Sequence, residues 1–120
     1  MRNSIQRALA CLASHAYQRR YIVEATAHQY VLPDEMLDSA CSLLDVTLKS
    51  ELLSRSLSER ERQCLAEALT RFRDLQNRIP FADAAVSTED LIERDADWLA
   101  VRAIATECLK TMGCEAERWD

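Results

Sequence analysis

The sequence predicts an all-α domain, an antiparallel four-helix bundle, on three observations. The 120 residues include one Gly and two Pro, too few turn formers for the many reversals of a β-rich fold. Ala, Leu, Glu and Arg, all good helix formers, dominate the composition instead. Apolar residues recur at helical spacing in four segments, spanning approximately 4–30, 34–55, 59–79 and 88–112, the last either continuous from Thr88 or broken near 95. A chain of this length reads as one domain, residues 1–120, that needs no metal or disulfide staples, with 114–120 as a short polar tail.

Asn3 or Ser4 can cap the first helix, whose stripe is Ile5, Ala8, Leu9, Leu12 and Ala16. Between Ala8 and Tyr17 only Ser14 and His15 are polar, which suits a helix central in a bundle. Ala10 and Ala13 let a neighbour approach closely, and a second copy of the chain is the alternative neighbour, giving a homodimer through this helix. The pattern continues through Tyr21, Ile22, Ala25 and Tyr30, with a bend expected near Arg19 and Arg20. Residues 8–13 read as part of this helix and not as a leader.

Pro33 with Asp34 and Glu35 opens the second helix, because Pro suits the first turn and acids suit the N-terminal dipole. Its stripe is Leu37, Ala40, Cys41, Leu44, Leu48 and Leu52, and the helix is expected to reach about Ser54. The third helix carries the clearest signal. Ser58 and Glu61 have the spacing of a capping box, followed by the stripe Leu65, Ala68, Leu69, Phe72, Leu75 and Ile79. Asp74 and Arg78 form an acid-before-base pair, and Pro80 stops the helix. The run Leu57 to Leu65 resembles the opening helix of LuxR-type DNA-binding domains over nine residues. Those domains continue into a turn and a second helix, whereas Ala66 to Ile79 prolong the first, so nothing is carried over from that family.

In the following loop, Phe81 and Val86 are expected to tuck onto the bundle. Ser87 with Asp90 suggests a cap, and the final stripe is Trp98, Val101, Ile104, Ala105, Cys108 and Met112. Gly113, the one glycine, stands where a left-handed C-terminal cap is needed.

The net charge of −5 is unevenly spread. Residues 1–33 carry Arg2, Arg7, Arg19 and Arg20 against Glu24, whereas residues 81–120 carry ten acids against Arg94, Arg102, Lys110 and Arg118. An acidic chain repels nucleic acid and anionic membranes, so a protein with a basic surface is the expected partner. Five cysteines, an odd number without a CxxC, point to a reducing cytoplasm, with Cys11, Cys41, Cys64 and Cys108 packing beside the stripes and Cys114 after the last helix. The chain lacks the Glu-x-x-His of di-iron bundles; Glu24 with His28, and His15 beside the first stripe, read as ordinary hydrogen-bonded pairs. No phosphate-cradling Gly loop accompanies the acids, and no catalytic residue, metal ligand or cofactor is assigned.

The reading that remains is a non-enzymatic protein-binding module of inhibitor, immunity, antidefence or chaperone type. Its expected binding residues are Asp83, Glu89, Asp90, Glu93, Asp95 and Asp97, with Trp98 as an aromatic anchor, because six acids exceed what two helix starts require. The alternative is a regulatory, nucleic-acid-associated protein using Arg60, Arg62, Arg71, Arg73 and Arg78 of the third helix, whose guanidinium groups suit bidentate contacts. A metal-dependent enzyme built on the acids ranks behind both.

Overall fold

A computed structural model describes residues 2–24 and 32–113. Its regular elements are all helical, and the described residues contain no strand. Helix α1 covers Arg2–Ala13 and ends at Ser14, whose extended backbone (φ −87°, ψ 111°) starts a new cap. The Ser14 hydroxyl accepts from the Tyr17 N–H at 3.0 Å and opens α2 (His15–Gln18), which passes directly into a π-helical turn, Arg19–Val23. The single helix expected over 4–30 is therefore broken at Ser14, and the chain widens near Arg19 where a bend was expected. A serine hydroxyl offers the backbone a partner outside the helix ladder, and the restart changes the phase. Ala16 consequently faces solvent, while Gln18 is fully buried. Ala25, His28 and Tyr30 lie outside the described residues.

The same device shortens the second helix. Helix α3 runs Pro33–Lys49, then Ser50 turns extended and its hydroxyl accepts from the Leu53 N–H at 3.2 Å. The turn it opens, α4 (Glu51–Ser54), points Leu52 outward at 69% exposure, so the expected stripe loses its last member. Helix α5 covers Glu59–Arg78 with both halves of the capping box formed: the Glu61 N–H donates to Ser58 Oγ at 3.1 Å, and the Ser58 N–H donates to Glu61 Oε1 at 2.8 Å. Helices α6 (Thr88–Arg94) and α7 (Ala96–Thr111) are separated at Asp95, and Gly113 closes the turn that follows α7 with φ +79°. That left-handed geometry suits a residue without Cβ.

Helix α1 packs on α3 and α7, and α5 packs on the same two helices. Ile5, Leu9, Leu12, Leu37, Leu65, Phe72, Trp98 and Leu109 fill the space between them with no exposed surface. Ala10 and Ala13 are buried within the chain itself, where they let the neighbouring helices approach closely. At one end of the molecule Arg2 clamps three elements together. Its guanidinium donates to both Glu61 oxygens at 2.8 and 2.7 Å, to the Met112 carbonyl at 3.0 Å and to the Ser56 carbonyl at 3.4 Å. The hydrogen bonds from Arg2 hold the Glu61 carboxyl down to about 2, against the opposing effect of burial. Among the described residues no helix is long and apolar enough to cross a membrane.

Candidate functional site

The acids singled out in the sequence converge around α6, and the fold gives each one a neighbour. Ser87 caps α6 by accepting from the Asp90 N–H at 3.1 Å. Asp95 ends that helix, its N–H donating to the Asp90 and Leu91 carbonyls, while its carboxylate caps α7 by accepting from the Trp98 N–H at 2.9 Å. Asp83 accepts from the Ala85 N–H at 2.9 Å and shapes the preceding loop. These two acids have local structural work that explains them.

The other four are ion-paired. Asp90 pairs with Arg94 one turn along α6. Glu89 receives Arg19 at 3.1 Å, and Glu93 receives His15 at 2.6 Å and Arg19 at 3.4 Å, so the N-terminal segment docks against α6 through charge. The hydrogen bond from His15 holds the Glu93 carboxyl below its ordinary range, and the one to Glu89 raises the Arg19 guanidinium. Arg19 also reaches Glu24 at 3.3 Å. Asp97 meets Arg78 at 3.3 Å, and the same guanidinium lies 3.4 Å from Asp74. The ion pairs thus form three groups: Glu24, Glu89 and Glu93 around Arg19 with His15, Asp74 and Asp97 around Arg78, and Asp90 with Arg94. Together with Asp83 and Asp95 these acids outnumber the three arginines eight to three, so a negative excess remains although most members are paired.

Trp98 takes no part in that surface. It is fully buried, in edge-on contact with Phe81 at 6.2 Å between ring centroids, and only the half-buried Phe81 approaches the outside. The expectation of Trp98 as an aromatic anchor is corrected: an indole this large on the apolar stripe of α7 is drawn into the core. Its N–H needs a partner there and donates to Gln18 Oε1 at 3.1 Å. Arg102 donates to the same oxygen at 2.7 Å and to the Ile92 carbonyl at 2.9 Å. The Gln18 amide nitrogen in turn donates to the Cys11 and Leu12 carbonyls at 3.1 and 2.7 Å, near the break after α1. Gln18 and Arg102 thus join α1, α6 and α7 beneath the acidic surface. Sequence reasoning missed both residues, since a Gln beyond an apolar run carries no signal of burial until the helix phase is known.

A second feature lies between α5 and α7. A groove of about 330 Å³ is lined by Ala68, Ala100, Ala103 and Ile104, with Glu67, Arg71 and Glu107 at its edges and Cys64 and Cys108 in its wall. The two sulfurs stand 3.6 Å apart, and the Cys64 thiol also reaches Thr111 Oγ1 at 3.7 Å. Cys41 and Cys108 are buried as expected, whereas Cys11 and Cys64 are only half-buried, and Cys114 lies outside the described residues.

The arginines of the alternative reading are all exposed on α5. Arg73 lies 3.6 Å from Asp45 and Arg78 belongs to the acidic end, which leaves Arg60, Arg62 and Arg71 without an ion pair among the described residues. Glu59 and Glu67 stand exposed between them and divide the positive charge. Among the described residues no group of three or more His, Cys, Asp or Glu is placed to hold a metal ion. No family model, curated protein or solved structure matches the chain.

Proposed function

We propose that the chain is a small non-enzymatic protein-binding module, of inhibitor, immunity, antidefence or chaperone type, that docks its α6 end on a basic surface of another protein. The observation that carries this reading is the density of acids around α6, where Asp83, Glu89, Asp90, Glu93, Asp95 and Asp97, with the ion-paired Glu24 and Asp74, outnumber Arg19, Arg78 and Arg94 eight to three. Such an excess would act chiefly on association rate and weaken as salt screens it. The ring of neighbours α1, α3, α5 and α7 supports an antiparallel four-helix bundle as the platform, with the Arg2 clamp joining the start of α1 to the end of α7. On such a platform helix ends present charge from a rigid frame.

The ion pairs decide which residues test the idea. Glu93 and Asp97 anchor the surface to Arg19, His15 and Arg78, so reversing them disturbs docking within the chain. Glu24, Glu89 and Asp90 are more exposed. A partner captured from the native host should lose on-rate steeply as ionic strength rises, and Glu24→Gln, Glu89→Gln and Asp90→Asn together, which remove charge without setting a lysine against Arg19 or Arg94, should reproduce part of that loss with the helical content unchanged. Unchanged association by the triple variant removes this surface. If Arg60→Glu with Arg62→Glu abolishes binding instead, the α5 arginines and a nucleic-acid-associated role take its place.

A further inference from the structure

The geometry points to Cys64 and Cys108 as a reversible dithiol–disulfide pair that is oxidised by a small-molecule disulfide and then ties α5 to α7. Their sulfurs face each other at 3.6 Å across two packed helices, forty-four residues apart in sequence. Among the described cysteines no other pair is in sulfur contact. A disulfide needs about 2.05 Å, so a closure of roughly 1.5 Å is required, within reach of side-chain rotation and a small helix shift. The inference is independent of the acidic docking surface.

The two thiols are unequal, and the inequality gives them an order. Cys64 is half-buried and lines the open groove, where a small reactant can approach it. Cys108 is 2% exposed, and burial pushes its thiol up, with the neighbouring Cys64 adding to that effect and Arg71 opposing it. The first attack therefore falls to Cys64. Cys64 gives its proton to water, its thiolate bonds to one sulfur of the incoming disulfide, the old S–S bond breaks, and one small thiolate leaves and is protonated by solvent. Conversion of Cys64 to a mixed disulfide removes its negative charge from beside Cys108. The Cys108 thiolate then attacks the Cys64 sulfur and displaces the second small thiolate, which takes up a proton. Two protein thiols are oxidised and one small disulfide is reduced to two thiols, so the exchange balances.

The product cross-links α5 and α7 along the wall of their shared groove, so the oxidation state would set how far those helices can separate there. The experiment uses the full chain exposed to glutathione disulfide under native conditions, followed by intact-mass measurement and peptide mapping. Wild type should lose two hydrogens, yield a Cys64–Cys108 peptide and recover both thiols with dithiothreitol. The melting temperature of the oxidised form should rise by about 5–15 °C over the reduced form, because the bridge restricts the unfolded chain. Cys108→Ala should stop at a stable glutathione adduct on Cys64, whereas Cys64→Ala should leave Cys108 unmodified. If Cys108→Ala does not fold, the Cys64→Ala result and the wild-type peptide map decide the matter. A persistent adduct on Cys64 in wild type, or a bridge from Cys64 to Cys114 in place of Cys108, overturns the assignment.

Discussion

Neutralising Glu61 should remove a pH-dependent part of the protein's stability. Its side chain is 10% exposed, accepts two hydrogen bonds from Arg2, and completes the capping box of α5. Glu61→Gln retains an amide that can still cap Ser58, so the substitution removes mainly the charge. The carboxyl is held at about 2 against an ordinary glutamate value near 4.5. A shift of that size corresponds to about 3 kcal/mol by linkage. Arg2 is 35% exposed, and solvent screening at its outer side reduces the expectation to about 1–3 kcal/mol. The sign follows from the depressed value: the contribution is fully present above the unfolded carboxylate's range and is lost as pH falls from about 4.5 towards about 2. Urea denaturation of wild type and Glu61→Gln at pH 7 and at several points below pH 5 measures it. The gap between the two proteins should be largest at neutral pH and narrow through the acid range. An equal gap at pH 7 and pH 3 would refute the reasoning, because it would assign the loss to packing or capping and not to the charge.

Gln18→Leu should cost about 2–4 kcal/mol, since it strips acceptors from the buried Trp98 N–H and from Arg102 and frees two carbonyls near the end of α1; thermal melting checks this, and a neutral outcome removes the network's structural role. Leu9→Ala or Leu12→Ala should each cost about 2–5 kcal/mol through a cavity in the core, read by chemical denaturation. Ala13→Gln, at a buried position beside them, should destabilise the monomer instead of merely changing its association, which light scattering and melting together distinguish.

Much of the local structure was legible because its causes are local. Ser58 and Glu61 are three residues apart, and their reciprocal capping needs nothing from elsewhere in the chain. The break at Asp95 was one of two readings the sequence left open, whereas the left-handed Gly113 was legible for the same reason as the capping box. Ser14 and Ser50 were not. A serine within an apolar pattern can ride on a helix or restart one, and the choice depends on which arrangement buries the flanking residues. Here the restarts expose Ala16 and Leu52 and bury Gln18.

The candidate surface divides in the same way. The density of acids from Asp83 to Asp97 is a property of the sequence, as are the helix starts capped by Ser87 and Asp95. The cations facing them are not local: Arg19 and His15 arrive from the N-terminal segment, and Arg78 arrives from the end of α5. Composition could therefore establish an acidic segment on an all-helical chain. Folding alone set how much of that charge is already paired, buried Trp98 beneath it, and brought Cys64 against Cys108. Capping and periodicity act over a few residues, whereas ion pairing, burial and thiol contact depend on distances between segments that only close packing defines.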